Sequence, residues 1–254
     1  MHQERGKIVE NERLCDGIYR MRIESPRISK ESKPGQFVLL RTSSGYDPLL
    51  RRPFSLHDAD SRTYELVYRL VGRGTSMLAE SSVGDEIDSI GPLGNGFRLI
   101  RGEAIVAAGG IGIAPFFLLA RSLIKQHTKA VLAYGAKTGS LLVDTEKFAR
   151  IGVSVEVATE DGSVGSKGTC GDLLKELLSK SRFKGAYACG PPAMLREVAG
   201  LCKAHMIPSC QISVEERMAC GVGACLGCSI KSADRGYLTV CKDGPVFEAG
   251  EVEI

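Results

Sequence analysis

Short apolar runs recur through the first hundred residues: Lys7–Val9, Ile18–Ile23, Phe37–Arg41, Tyr64–Leu70 and Glu86–Ile90, with Gly, Pro, Ser or Asp between them. Runs of this length bounded by turn formers predict strands, and several in succession predict a small antiparallel barrel or sandwich. Thr75–Glu80 is predicted as a short helix with Thr75 as its N-cap. Beyond Arg101 the pattern changes. Ala104–Gly110 is a continuous apolar run ending in glycines, which reads as a buried parallel strand. Helices predicted at Pro115–Lys125, Leu141–Phe148, Asp172–Leu178 and Pro192–Ala204 alternate with strands at Ala130–Tyr134, Val153–Ala158 and Gly185–Cys189. That alternation predicts a parallel sheet covered on both faces, with ligands at the carboxyl ends of its strands. The last forty or so residues read as a separate glycine-rich module, with Gly236–Phe247 forming a hairpin around Asp243-Gly244. The predicted units are residues 1–100, 101–210 and 211–254.

Composition narrows the function classes. A net charge of +3 with Lys and Arg spread along the chain gives no basic stripe for nucleic acid, and the absence of tryptophan removes the best stacking platform. The longest apolar stretch, Ala104–Ala120, is broken by glycines and Pro115, so no membrane span is expected. The amino terminus lacks the apolar core of a secretory signal. Nine cysteines, odd in number and with four clustered, point to metal ligation in a reducing, cytoplasmic compartment rather than to disulfides. Cys15, Cys170, Cys202 and Cys210 read as buried thiols.

The cluster carries the sharpest chemistry. In C-G-V-G-A-C-L-G-C, four and then two residues separate Cys220, Cys225 and Cys228, and Cys241 comes after twelve more. This is the ligand spacing of a plant-type [2Fe-2S] centre. Gly221, Gly223 and Gly227 let the loop curl and turn N–H groups inward. The competing reading is a structural Zn(Cys)4 site, which usually uses two C-x2-C pairs where this chain has one.

Two further motifs bear on nucleotides. In R51-R-P-F-S-L, an arginine at a strand edge can hold a pyrophosphate, and Ser55 can bond a planar ring. In V71-G-R-G-T, the glycines and Thr75 open a helix whose terminus attracts phosphate. The bland readings are an arginine-capped turn and an ordinary capped helix. G109-G-I-G-I-A-P-F follows a strand and opens a helix, which suits a pyrophosphate although a third glycine is missing; the bland reading is a tight turn. C189-G-P-P-A-M supplies a rigid loop before the next helix. A nucleophilic role for Cys189 has no partner in His127 or His205. Lys137 leaves NADP open, while Glu160 or Asp161 would disfavour a 2′-phosphate and tilt the reading to NAD.

Taken together, RRPFSL, GRGT, GGIGIAPF and CGPPAM resemble the ferredoxin reductase superfamily, over nearly the whole chain. The resemblance implies an N-terminal antiparallel β-barrel binding FAD, an α/β nucleotide domain and a C-terminal [2Fe-2S] module. It implies that Arg52, Pro53, Phe54 and Ser55 contact flavin and pyrophosphate, that Val67, Tyr68 and Arg69 line the FAD, and that Gly74 and Thr75 bind its phosphates. Gly110, Gly112, Cys189 and Gly190 would contact NAD(H), with Met194 packing nearby, and Cys220, Cys225, Cys228 and Cys241 would hold the cluster. G91-P-L-G-N-G-F resembles the family's link between domains. With CGVGACLGC at the end, the order of modules is similar to that of electron-transfer subunits of bacterial NAD-dependent dihydroorotate dehydrogenases. That branch implies an FMN-containing catalytic partner in an α2β2 assembly and no catalytic base in this chain, in pyrimidine biosynthesis. Reductase subunits of cytoplasmic hydrogenases or of ferredoxin–NADP oxidoreductase share the modules. A stand-alone [2Fe-2S] carrier or interaction module would explain the cysteines alone.

Overall fold

The structure, a computed structural model, describes residues 1–43, 45–234 and 236–254. Its first half is a seven-stranded antiparallel sheet built from β1 (His2–Cys15), β2 (Ile18–Glu24), β3 (Phe37–Arg41), β4 (Arg52–Ser55), β5 (Asp58–Ala59), β6 (Thr63–Arg69) and β7 (Glu86–Leu93), in the order β4-β3-β7-β1-β2-β6-β5. The sheet curls so that its ends meet, and the His57 amide donates to the Glu65 carbonyl at 2.8 Å. The predicted barrel is thus a curled half-barrel around Ile8, Met21, Ile23, Val38, Tyr64 and Leu66. Two helices, α1 (Pro26–Glu31) and α2 (Arg73–Glu80), lie between its strands.

Thr75 does not cap α2. The N-cap is Gly72, and the Thr75 hydroxyl, three residues in, accepts from the Val71 and Gly72 amides at 2.9 and 3.1 Å. A threonine at this position can reach back to the orphan N–H groups, so the helix starts two residues earlier than propensity suggests.

The second half is a seven-stranded sheet in the order β11-β10-β9-β8-β12-β13-β16. Its strands are β8 (Glu103–Gly109), β9 (Lys129–Ala136), β10 (Ser154–Thr159), β11 (Ser166–Lys167), β12 (Gly185–Cys189), β13 (Cys210–Ser213) and, after a separate β14–β15 pair (Ser229–Lys231 and Tyr237–Thr239), β16 (Val246–Glu248). All are parallel except β16. Helices α3 (Phe116–Lys125), α4 (Thr145–Arg150), α5 (Cys170–Lys180) and α6 (Pro192–Ala204) provide the crossovers. Alternate residues of β8 feed opposite cores: Ile105 and Ala107 pack with Leu174, Leu195 and Ile212, while Val106 and Ala108 pack with Phe116, Leu132 and Tyr134. Period-two alternation in a strand buried on both faces requires this division.

Two further elements depart from the sequence pattern. The helix expected from Leu141 splits into a 3-10 turn at Gly139–Leu141 and α4, with Asp144 between them in left-handed conformation (φ 61°). The residues around Asp243-Gly244 are not a hairpin. β15 pairs with β14, whereas β16 joins the large sheet and buries Phe247 opposite Ile212. Burial of that ring against an existing sheet edge outweighs the local turn signal. The cysteine loop therefore hangs between β13 and β16, and one apolar core runs from Leu174 and Ile212 through Cys228, Val240 and Cys241 to Leu39 and Leu93 of the half-barrel.

Candidate functional site

A cavity of about 1020 Å³ opens at the carboxyl ends of β8, β9 and β12, where a parallel sheet places its ligands. Its floor is glycine. A Cβ at Gly112 would stand 2.1 Å from the Cys189 carbonyl oxygen, so the turn after β8 lies directly on the end of β12. Gly109 and Gly190 give the same close approach to Met194, whose sulfur would be 2.5 and 2.9 Å from their added carbons. Gly110 takes a positive φ of 55°. The turn itself is a 3-10 segment, Gly110–Ile113, and α3 starts at Phe116 with Pro115 as N-cap, one residue later than the pattern predicts. Cys189 is buried, and loss of water pushes its thiol well above its usual range. It is a thiol packed beneath the Gly112 turn, sealed from the cavity, and not a nucleophile. Cys170 is likewise buried, its thiol pushed up to about 12 by desolvation. Lys137 and Glu160 both line the cavity, whereas the Asp161 carboxylate is engaged by the amide and hydroxyl of Ser163.

The half-barrel contributes Arg69, which lines the same cavity from the end of β6; its guanidinium would lie 3.4 Å from a Cβ on Gly110. Behind it, the R-P-x-S and G-x-G-T segments come together. An added carbon at Gly74 would meet Thr42 Oγ1 at 3.2 Å and the Arg52 side chain at 3.3 Å. Arg52 donates to the Leu50 carbonyl at 2.5 Å. Tyr68 stacks on Tyr19 with ring centres 5.8 Å apart and meets the edge of Phe54 at 5.6 Å. Among the described residues the Tyr68 hydroxyl and Thr42 Oγ1 are buried without a hydrogen-bond partner. Buried polar atoms of this kind call for a polar ligand, and an aromatic wall beside an arginine and a helix start fits a flavin with its pyrophosphate. Pro53 and Ser55 are half-buried on β4, and Val67 is buried on β6.

Cys220, Cys225, Cys228 and Cys241 converge as two pairs. The thiols of Cys220 and Cys225 are in hydrogen-bond contact, as are those of Cys228 and Cys241. Among the described residues no three of these sulfurs lie within 4.8 Å of one another. A tetrahedral zinc with bonds of about 2.3 Å would draw all four to within about 3.8 Å, whereas two irons take two thiolates each. Amides point at the sulfurs: Gly223 to Cys241 at 3.1 Å, Cys225 and Val222 to Cys220 at 3.4 and 3.5 Å, and Gly227 to Cys225 at 3.5 Å. The Val222 and Cys225 N–H groups bring the Cys220 thiol down to about 6. Positive φ values at Gly221 and Gly223, 71° and 78°, make that inward turn possible. Cys225 is exposed while Cys228 and Cys241 are buried. Val222, Leu226 and Tyr237 are exposed apolar residues of this module.

A family model described as the iron–sulfur cluster binding domain of dihydroorotate dehydrogenase B matches residues 215–253, and one for an oxidoreductase NAD-binding domain matches residues 106–200. The chain is 38% identical over 262 residues to the dihydroorotate dehydrogenase B (NAD(+)) electron transfer subunit of Geobacillus sp. (strain WCH70), covering 99% of both chains. The chain belongs to this family of electron transfer subunits. The subunit of the same description from Clostridium acetobutylicum is 39% identical, covering 97% of this chain and 95% of that one. A solved NADH-dependent reduced ferredoxin–NADP oxidoreductase superposes with a TM-score of 0.89 at 28% identity, over 98% of this chain and 89% of that one. The cytochrome b5 reductase domain of Ulva prolifera nitrate reductase shares the fold, with a TM-score of 0.59 at 14% identity over 77% of this chain and 89% of that domain. Members of the family are oxidoreductase subunits, and this chain carries their NAD-binding and iron–sulfur-binding domains. Among the described residues no helix is long and apolar enough to cross a membrane.

Sequence reasoning missed one buried cluster, formed by His57, Glu65 and Asp144. The visible signals were a histidine two residues beyond the R-P-x-S segment and a glutamate within the otherwise apolar run of β6.

Proposed function

We propose that the chain carries electrons between an FMN-containing, dihydroorotate-oxidising partner subunit and NAD+, in a cytoplasmic α2β2 assembly serving pyrimidine biosynthesis. In this reading residues 1–100 hold FAD, 101–210 hold NAD(H) and 211–254 hold a [2Fe-2S] centre. Arg52 and the α2 start at Gly74 and Thr75 take the pyrophosphate; Pro53, Phe54, Ser55, Val67 and Tyr68 wall the ring; Gly110, Gly112 and Gly190 line the nicotinamide side, with Cys189 packed beneath them. Cys220, Cys225, Cys228 and Cys241 are the metal ligands. Bound in these places, the flavin supplies exchange of two electrons with nicotinamide and of single electrons with the iron–sulfur centre.

The observation that carries the reading is the shared cavity. Arg69, at the end of the flavin-side strand, and Gly110, in the nucleotide turn, meet in its lining. The chain's own residues would thereby hold the two ligands at one opening, with the cysteine loop packed on the same core. Purifying the native complex tests the proposal: the partner should contain FMN and oxidise dihydroorotate, and this chain should contain FAD and iron. NADH should reduce it faster than NADPH, because Glu160 in the cavity opposes a 2′-phosphate.

A second reading rests on the superposition with the ferredoxin–NADP oxidoreductase. A partner bearing nickel or [4Fe-4S] centres would establish it and remove the first.

A further inference from the structure

His57 connects the two halves of the molecule through its backbone carbonyl and its ring. It lies two residues beyond Ser55. Its backbone carbonyl accepts from the Leu118 amide at 2.7 Å, within the first turn of α3. Its Nδ1 meets the Ala114 carbonyl, in the G-G-I-G-I-A-P turn, at 2.9 Å. Its Nε2 stands 3.0 Å from Asp144 Oδ2 and 3.7 Å from Glu65 Oε1. The ring is fully buried and stacks on Phe117 with centres 5.5 Å apart.

The groups around it fix those acceptors in turn. Arg20 of β2 binds the other oxygen of Asp144 and reaches Glu65 at 3.3 Å. Lys147 of α4 holds Glu65 Oε1 at 2.5 Å, and Arg22 holds Glu65 Oε2 at 2.6 Å. Half-barrel residues (Arg20, Arg22, His57, Glu65) and nucleotide-domain residues (Ala114, Leu118, Asp144, Lys147) thus alternate around one point. Asp144 also ends the segment that follows β9 and includes Lys137 and Leu141 of the cavity wall. A metal ion is not what this cluster takes, because Arg20, Arg22 and Lys147 already neutralise both carboxylates.

We propose that His57 is a positioning residue: it clamps the flavin-binding strand to the nucleotide-binding turn and so sets the approach of the two reacting rings across the cavity. The inference rests on the proposed exchange between flavin and nicotinamide. Its physical basis is that a misplacement of about 1 Å between reacting partners costs about a hundredfold in rate, and the two ligands are held by different sheets. A buried, many-armed contact between those sheets, rather than a flexible linker, is the element able to hold that tolerance.

Two variants of the full-length, FAD-loaded chain test it, read by stopped-flow reduction of the flavin at saturating NADH. His57→Asn keeps a donor near the Nδ1 position and loses the reach to Asp144. Asp144→Asn keeps the shape but removes the charge that faces Nε2 and pairs with Arg20. Each should retain FAD and its NADH affinity while flavin reduction slows by roughly ten- to a hundredfold, and the double variant should be no slower than the slower single. If His57→Asn does not fold, Asp144→Asn decides alone. Reduction within about twofold of wild type in a folded variant would overturn the inference while leaving the functional reading intact. A wild-type, FAD-loaded chain that NADH does not reduce would overturn both.

Discussion

Gly112 and Cys189 touch backbone to backbone: a methyl on the glycine would stand 2.1 Å from the cysteine carbonyl oxygen and 2.8 Å from the next amide nitrogen. Neither neighbour is a side-chain tip that can swing away. Gly112→Ala should therefore separate the turn after β8 from the end of β12. Overpacking of this kind costs about 1–3 kcal/mol. The expected result is a lower denaturant midpoint together with weaker NADH binding, measured by titration. Unchanged affinity would mean that the turn does not form the nucleotide floor.

Arg52 is placed beside the α2 start and the buried Thr42 hydroxyl. If it binds the flavin pyrophosphate, Arg52→Ala removes a charge-assisted contact of about 1.5–3 kcal/mol, which corresponds to a roughly ten- to hundredfold weaker hold on FAD. Dialysis followed by flavin absorbance reads this directly. A full flavin complement after dialysis would remove Arg52 from the site.

The paired arrangement of the cysteines makes Cys225→Ser informative. Cys225 is the exposed member of its pair, while Cys228 and Cys241 belong to the apolar core. Its loss should abolish the visible iron–sulfur absorption and the partner-linked reaction. It should leave FAD content and NADH–dye turnover largely intact, because the half-barrel and the nucleotide sheet have cores of their own. A colourless wild-type protein with stoichiometric zinc would contradict the two-pair reading.

Tyr187 fastens the connection between the halves. Its hydroxyl accepts from the Ile100 amide and donates to the Arg98 carbonyl, both at 2.9 Å, from within a fully buried strand. Tyr187→Phe leaves that amide without its partner, at a cost of about 1–3 kcal/mol. Thermal unfolding should register the loss, and flavin content should not change.

Much of this architecture was legible because its signals are local. The run Ala104–Gly110 could only be a buried strand ending in a turn, and R-P-F-S-L and the cysteine spacing each lie within a few residues. The His57 cluster was not legible, because Glu65 lies on β6 of the half-barrel and Asp144 at the start of α4 in the other half, far along the chain. The same holds for β16: Asp243-Gly244 advertises a hairpin, and only the distant edge of β13 explains why Val246–Glu248 pairs elsewhere. Thr75 shows a smaller version of the problem, since a threonine can serve a helix start from the cap or from the third position.

Glu65 allows the buried cluster to be tested through stability alone. Burial by itself would raise its carboxyl, but His57, Lys147 and Arg22 pull more strongly in the other direction and hold it below the usual glutamate value. A carboxyl depressed in the folded state contributes stability that is fully present above its unfolded value, near pH 4.3, and is lost as the pH falls through the folded one. Glu65→Gln lacks that contribution and leaves Lys147, Arg20 and Arg22 without their shared counter-charge. Breaking a buried ion pair from one side costs about 3–5 kcal/mol, so at pH 7 the variant should unfold at clearly lower denaturant than wild type. As the pH falls from the unfolded value through the lower folded one, the gap between the two proteins should narrow. Urea titrations at neutral and acid pH measure both arms. A gap that stays constant with pH would show that Glu65 acts through packing and not through its charge.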